Sequence, residues 1–146
     1  MNVEIKIDET AKPPRLVVYT SEVTPEIASL VHKLSGDTSE MIIGFEESEA
    51  FLLSKDEVFR FYTENQRIFA RCETKTYRVK NRLYELEETL VGSTFVRISN
   101  SEIANFDKVA SLDMSISGTI TLKFKNGDVA YVSRRYVEKI KQYLGL

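Results

Sequence analysis

The chain has 146 residues, 42% of them hydrophobic and 29% charged, with a formal net charge of −2. That length holds one domain with a small appendage and not two independent cores. The single cysteine, Cys72, and the single histidine, His32, exclude an internal disulfide and a structural zinc site, and no apolar run reaches the ~18 residues of a membrane span. The opening MNVEIKIDET also lacks the basic and apolar regions of a secretory signal, so a soluble, cytoplasmic protein is expected.

At the start of the chain, the alternation of Val3, Ile5 and Ile7 predicts a first strand. Leu16–Tyr19 predicts a second, with Pro13–Pro14 in the connection. Thr24, Pro25 and Glu26 supply an N-cap, a proline at the first helical position and a first-turn acid. Ile27, Leu30, Val31 and Leu34 then recur at helical spacing, which predicts a helix from Pro25 to about Ser35, ended by Gly36. Residues 1–40 therefore read as a small β/α element, too short to bury a core of its own.

From Met41 onward the pattern changes to short strands between closely spaced turns: Met41–Phe45, Ala50–Leu53, Val58–Thr63, Arg67–Glu73, Phe95–Ile98, Ser111–Ile116, Thr119–Lys125 and Val129–Val132. Asn126–Gly127 predicts a type I′ hairpin, because that pair tolerates two positive φ angles. Ser117–Gly118 predicts a second turn. One helix is expected around Asn81–Leu90, with Leu83, Leu86 and Leu90 on one face. Another runs from Ser133 to about Leu144, with Val137, Ile140 and Leu144 facing inward. Residues 41–146 thus read as a mainly β (α+β) domain built from antiparallel sheets.

Charge is spread unevenly. Residues 1–50 carry 4 Lys/Arg against 10 Asp/Glu, and residues 51–146 carry 16 against 12. A basic region concentrates polyanions and speeds their encounter; the alternative is that the acidic excess only solvates a surface. Covalent catalysis needs an imidazole beside a nucleophile. His32 sits on an amphipathic helix and reads as a structural histidine, while Cys72 lies in a predicted strand and reads as a small core residue. The six glycines are scattered and form no phosphate-binding motif. The carboxylate clusters Glu46/Glu47/Glu49 and Glu85/Glu87/Glu88 read as solvated surface. An enzyme is not expected, nor are catalytic residues, a cofactor or a bound metal.

Three polar groups stand where strands hand over to turns. Glu64–Asn65–Gln66–Arg67 forms one tip, Phe95–Val96–Arg97–Ile98 runs into Ser99–Asn100–Ser101, and Tyr131–Val132 runs into Ser133–Arg134–Arg135. Asn and Gln match the edge of adenine and Arg that of guanine, while Ser and Lys suit phosphate oxygens. Turns on a rigid β scaffold are also common places for recognition residues.

The run FVRISNSEIANFDKVASL (Phe95–Leu112), the hairpin Gly118–Asp128 and YVSRRYVEKIKQYLG (Tyr131–Gly145) together resemble the LytTR DNA-binding domain of bacterial transcription regulators, over roughly Met41–Gly145. The resemblance implies an elongated stack of antiparallel β-sheets with short flanking helices. Its loops would enter successive major grooves of double-stranded DNA, often at paired direct repeats. Carried over by position, the DNA-contacting residues are Asn65, Gln66, Ser99, Asn100, Ser101, Arg134 and Arg135, with Asn100 and Arg135 matching the pattern best. Arg97 is assigned to phosphate contact or loop support. Many members have His where this chain has Ser99, so an imidazole contact is absent or changed.

Regulators of this kind without a receiver domain resemble proteins held inactive by a small membrane-bound inhibitory protein. Residues 1–40 accordingly read as a packing cap, a homodimerisation unit or the surface such an inhibitor binds. Two other readings of the loops stay open. One is a protein-interaction module for an acidic partner; the other is a single-stranded RNA binder, which needs Tyr62, Phe69 and Tyr77 exposed for stacking.

Overall fold

The computed structural model describes residues 2–12, 15–34 and 41–146, apart from the side chains of His32 and Lys33. The chain divides into two units, Met1–Thr38 and Ser39–Leu146. In the first, helix α1 (Pro25–Leu34) forms as its sequence predicts. Thr24 caps it, its Oγ1 accepting from Ile27 N–H at 3.2 Å. The two strands expected before it do not form: Val3, Ile5, Ile7 and Leu16–Tyr19 take part in no ladder among the described residues. Polar Asn2, Glu4, Lys6 and Asp8 flank the first apolar triplet, and a lone two-stranded pairing is marginal in water. The Pro13–Pro14 break and the helix end at Ser35–Gly36 lie outside the described residues.

Among its described residues the second unit holds ten strands and two α-helices: β1 (Met41–Glu46), β2 (Glu49–Ser54), β3 (Arg60–Glu64), β4 (Arg67–Arg71), β5 (Thr76–Val79), α2 (Leu83–Thr89), β6 (Phe95–Ser99), β7 (Glu102–Asn105), β8 (Val109–Asp113), β9 (Ile120–Phe124), β10 (Val129–Val132) and α3 (Arg134–Leu144). Seven strands form one antiparallel sheet in the order β2-β1-β5-β4-β3-β7-β6, and three form another in the order β10-β9-β8. Among the described residues no helix is long and apolar enough to cross a membrane.

Each face of the large sheet carries its own core. Phe61, Ala70, Tyr77, Val79, Phe95 and Ile103 pack on one side with Leu83, Leu86 and Leu90 of α2 and its C-terminal end. Phe59, Val96, Ile98 and Ala104 pack on the other with Ile120, Leu122, Ala130 and Val132 of the small sheet and Val137 and Ile140 of α3. Strands β6 and β7 are thus buried on both faces, and β7 (Glu-Ile-Ala-Asn) lacks the alternation that would mark it as a strand. β5 is only four residues long and follows a turn, so it too goes unread in the sequence. The strand expected at Ser111–Ile116 begins earlier and stops at Asp113, whose carboxylate accepts from Ser115 N–H at 3.0 Å and turns the chain.

The Asn126–Gly127 turn differs from the type I′ expectation. Gly127 has φ 90°, whereas Asn126 is not among the residues of positive φ. Gly127 N–H donates to Phe124 O at 3.0 Å and Phe124 N–H to Asp128 O at 2.8 Å. These bonds define a type I turn closed by a glycine bulge. The turn pins the two sheets together. Asn126 Nδ2 donates to Glu73 O at 3.1 Å, and Asp128 pairs with Arg71 at 2.8 Å and with Arg60 at 3.7 Å.

Candidate functional site

Register alone brings two of the polar groups together. Strand β3 runs antiparallel to β7, with Tyr62 opposite Glu102, so the turn leaving β3 and the turn entering β7 lie at the same end of the sheet. Thr63 N–H donates to Ser101 O at 2.9 Å, joining the two turns directly. The third group is tied to the same end, because Ser133 N–H donates to Ile98 O at 2.9 Å and Tyr136 Oη donates to Asn100 Oδ1 at 3.1 Å. Asn65–Gln66, Ser99–Ser101 and the first turn of α3 therefore form one surface.

The β3–β4 tip is a two-residue hairpin, with Glu64 opposite Arg67. Asn65 and Gln66 both have positive φ, 51° and 63°, which is the type I′ pattern. Both side chains are exposed, as is Arg67 beside them. Arg67 belongs to the tip in sequence but is not among the contact residues that the resemblance implies.

The β6–β7 turn is held from within. A register shift between Arg97 and Ser99 leaves Ile98 as the extra residue of a bulge, fully buried in the second core. The guanidinium of Arg97 bends back on its own loop, donating from Nε to Ser99 O at 2.7 Å and from Nη2 to Asn100 O at 2.5 Å. Its Nη1 meets Glu87 of α2 at 2.7 Å. Ser99 Oγ accepts from Ser101 N–H at 3.2 Å. Asn100 and Ser101 are exposed and Ser99 is half-buried. This geometry matches loop support, one of the two roles read for Arg97.

At the third group, Ser133 has the extended backbone of an N-cap, with φ −69° and ψ 150°. Arg134 and Arg135 are exposed and form no ion pair among the described residues. The acids at this end include Glu64 and Glu138, both exposed, and Glu87, which is already taken up by Arg97 and lies 4.0 Å from Lys139.

Behind the surface lies a charged network. Glu102 meets Arg60 at 3.0 Å; burial pushes its pKa up, and the adjacent Arg60 only partly opposes that. The hydrogen bond from Arg71 holds the Asp128 carboxyl below the usual carboxylate range, and burial works against it.

Several residues of the motifs turn out to be supports. Asn105 is buried, its Nδ2 donating to Val58 O at 2.9 Å and its Oδ1 accepting from Thr94 Oγ1 at 2.6 Å and from Asp107 N–H at 3.1 Å. Cys72 is buried in the first core as expected, and burial pushes its thiol up to about 11. An inert cysteine follows. Tyr77 is buried against Phe51, while Tyr62 stacks on Phe69 at 5.6 Å with Arg60 4.7 Å from its ring centroid. Of the three aromatics that RNA stacking would use, Tyr77 is thereby taken into the core, while Tyr62 and Phe69 stay half-buried.

The family model of the LytTr DNA-binding domain matches residues 48–145. Along its whole length the chain is 28% identical to uncharacterized HTH-type transcriptional regulators of Staphylococcus aureus strains NCTC 8325 and COL, of which it covers 98%. The fold matches a LytTr DNA-binding domain structure from Bacillus cereus with a TM-score of 0.70 at 21% identity, over 73% of this chain and 97% of the other. Although those relatives are called HTH-type, each helix described here is separated from the next by strands.

Proposed function

Because the chain belongs to the LytTR family of DNA-binding domains, we propose that it is a sequence-specific, double-stranded DNA-binding transcriptional regulator that reads the major groove with three loops. The observation that carries this reading is the convergence of the three polar turns. Residues 65–66, 99–101 and 134–135 are distant in sequence, yet the bonds Thr63–Ser101, Ser133–Ile98 and Tyr136–Asn100 tie them into one exposed surface. Asn100 and Arg135 read base edges, and Asn65, Gln66, Ser99, Ser101 and Arg134 contact bases or phosphates. Arg67 adds a cation at the tip. Arg97 acts through the Asn100 turn, since its guanidinium is already occupied. Duplexes with paired direct repeats are the expected targets, and the protein works in the cytoplasm. Residues 1–40 serve as a homodimerisation unit or as the surface held by a small membrane-bound inhibitor.

The test is selection of bound sites from a random duplex library, followed by titration of the best site across salt concentrations. An enriched motif, with a log–log salt slope of about −0.9 per phosphate neutralised, is the expected result. No enrichment together with a shallow slope would overturn the reading and favour an acidic protein partner.

A further inference from the structure

Asn100 is held at both of its oxygens. Its main-chain carbonyl accepts from Arg97 Nη2 at 2.5 Å, and its side-chain Oδ1 accepts from Tyr136 Oη at 3.1 Å. Tyr136 is itself fixed. It sits half-buried in the first turn of α3, donates from its N–H to Ser133 O at 2.9 Å, and has the Lys139 ammonium 5.9 Å from its ring centroid. Asn100 is exposed, and its Nδ2 donates to no described residue. The amide therefore has a fixed direction, with its oxygen end turned to the phenol and its nitrogen end free.

We propose that Tyr136 is a positioning residue that sets the polarity of the Asn100 amide, so that Asn100 presents hydrogen-bond donors to the base edge it reads. The inference rests on the DNA-reading function proposed above and deepens it. Asparagine recognises adenine by using both ends at once, Oδ1 accepting from N6 and Nδ2 donating to N7. With one lone pair of Oδ1 taken by Tyr136 and the amide plane set by that bond, the fork is disfavoured, and the amide instead suits an edge rich in acceptors. Guanine offers N7 and O6, and thymine offers O4; cytosine offers only the N4 donor. A position selective for guanine or thymine follows, and adenine loses the advantage it has with an unrestrained asparagine.

The experiment compares binding-site selection by the full chain, by Asn100→Ala and by Tyr136→Phe, which removes one hydroxyl and keeps the ring. Asn100→Ala identifies the position Asn100 reads, as the one whose preference disappears. In the wild type that position is expected to carry guanine or thymine. In Tyr136→Phe it shifts toward adenine by at least about fivefold in relative affinity, while the other positions keep their preferences. Adenine at that position in the wild type would overturn the inference, as would an unchanged preference in Tyr136→Phe or an equal loss at every position.

A wild type that enriches no site overturns the DNA-reading function itself, and this inference with it. A wild type that enriches a site which Tyr136→Phe reads identically overturns this inference alone. In the free protein, thermal unfolding checks that Tyr136→Phe is folded, and the Asn100 side-chain amide resonances are expected to move. Resonances that stay in place would contradict the hydrogen bond on which the proposal stands.

Discussion

Replacing Gln66 with glycine separates the stability of the β3–β4 tip from its recognition role. Gln66 has φ 63° with no glycine's freedom to justify it, directly after Asn65 at φ 51°. A left-handed conformation costs a residue with a side chain about 1–2 kcal/mol. Glycine removes that strain but loses about 0.5–1 kcal/mol through the greater freedom of the unfolded chain. Gln66→Gly is therefore expected to stabilise the fold by about 0.5–1 kcal/mol, because Asn-Gly is the favoured pair of a type I′ hairpin. Since the Gln66 side chain is exposed, little packing is lost to offset this gain. If that side chain touches DNA, the same variant binds its selected duplex less tightly, by about 1 kcal/mol for one lost hydrogen bond. Urea denaturation and duplex titration measure the two effects side by side. A destabilised variant would refute the strain reasoning. A stabilised variant with unchanged affinity would remove Gln66 from the contact surface.

The remaining expectations concern residues that support the site. Asn105→Ala leaves Val58 O and Thr94 Oγ1 without a buried partner, so it should cost about 2–4 kcal/mol in urea denaturation while the folded protein keeps its DNA affinity; a loss below about 1 kcal/mol would contradict the clamp. Asp128 has a depressed pKa, so its contribution is present above the ordinary carboxylate range and lost as pH falls through it. Stability should thus decline more steeply for the wild type than for Asp128→Asn between about pH 5 and pH 3. Glu102, raised by burial, works in the opposite sense in both proteins, and parallel curves would remove Asp128 from the account. Arg97→Met frees two loop carbonyls and Glu87 and should weaken specific binding by about 1.5–3 kcal/mol, with a salt slope unchanged from wild type. A slope shallower by about one phosphate would instead make Arg97 a direct contact.

How much was legible follows from which physical signals are local. Helix α3 and strands β1, β2, β9 and β10 are readable because apolar spacing and turn residues coincide with their burial. Strand β7 is not, because Ile103 and Ala104 face opposite cores and erase the alternation. The N-terminal strands were overread from three alternating residues and from the apolar run Leu16–Tyr19, which have no described partner. At the site, the three polar turns stand out as residue types, yet nothing local says that Thr63 will meet Ser101. Asn105 carries the chemistry of a base reader, and only its partners show it buried; the bonds of Arg97 to its own loop are likewise invisible in the sequence. Tyr136 had no distinguishing signal, since the residue it bonds lies 36 positions away.

The central claim is that one surface, made of three turns, meets the DNA. Backbone amide shifts recorded while the selected duplex is added to labelled protein test it most directly. Changes concentrated at residues 64–67, 99–101 and 133–136 are the expected result. Changes centred on the β1–β2 hairpin or the β8–β9 loop, with these three segments unmoved, would contradict it.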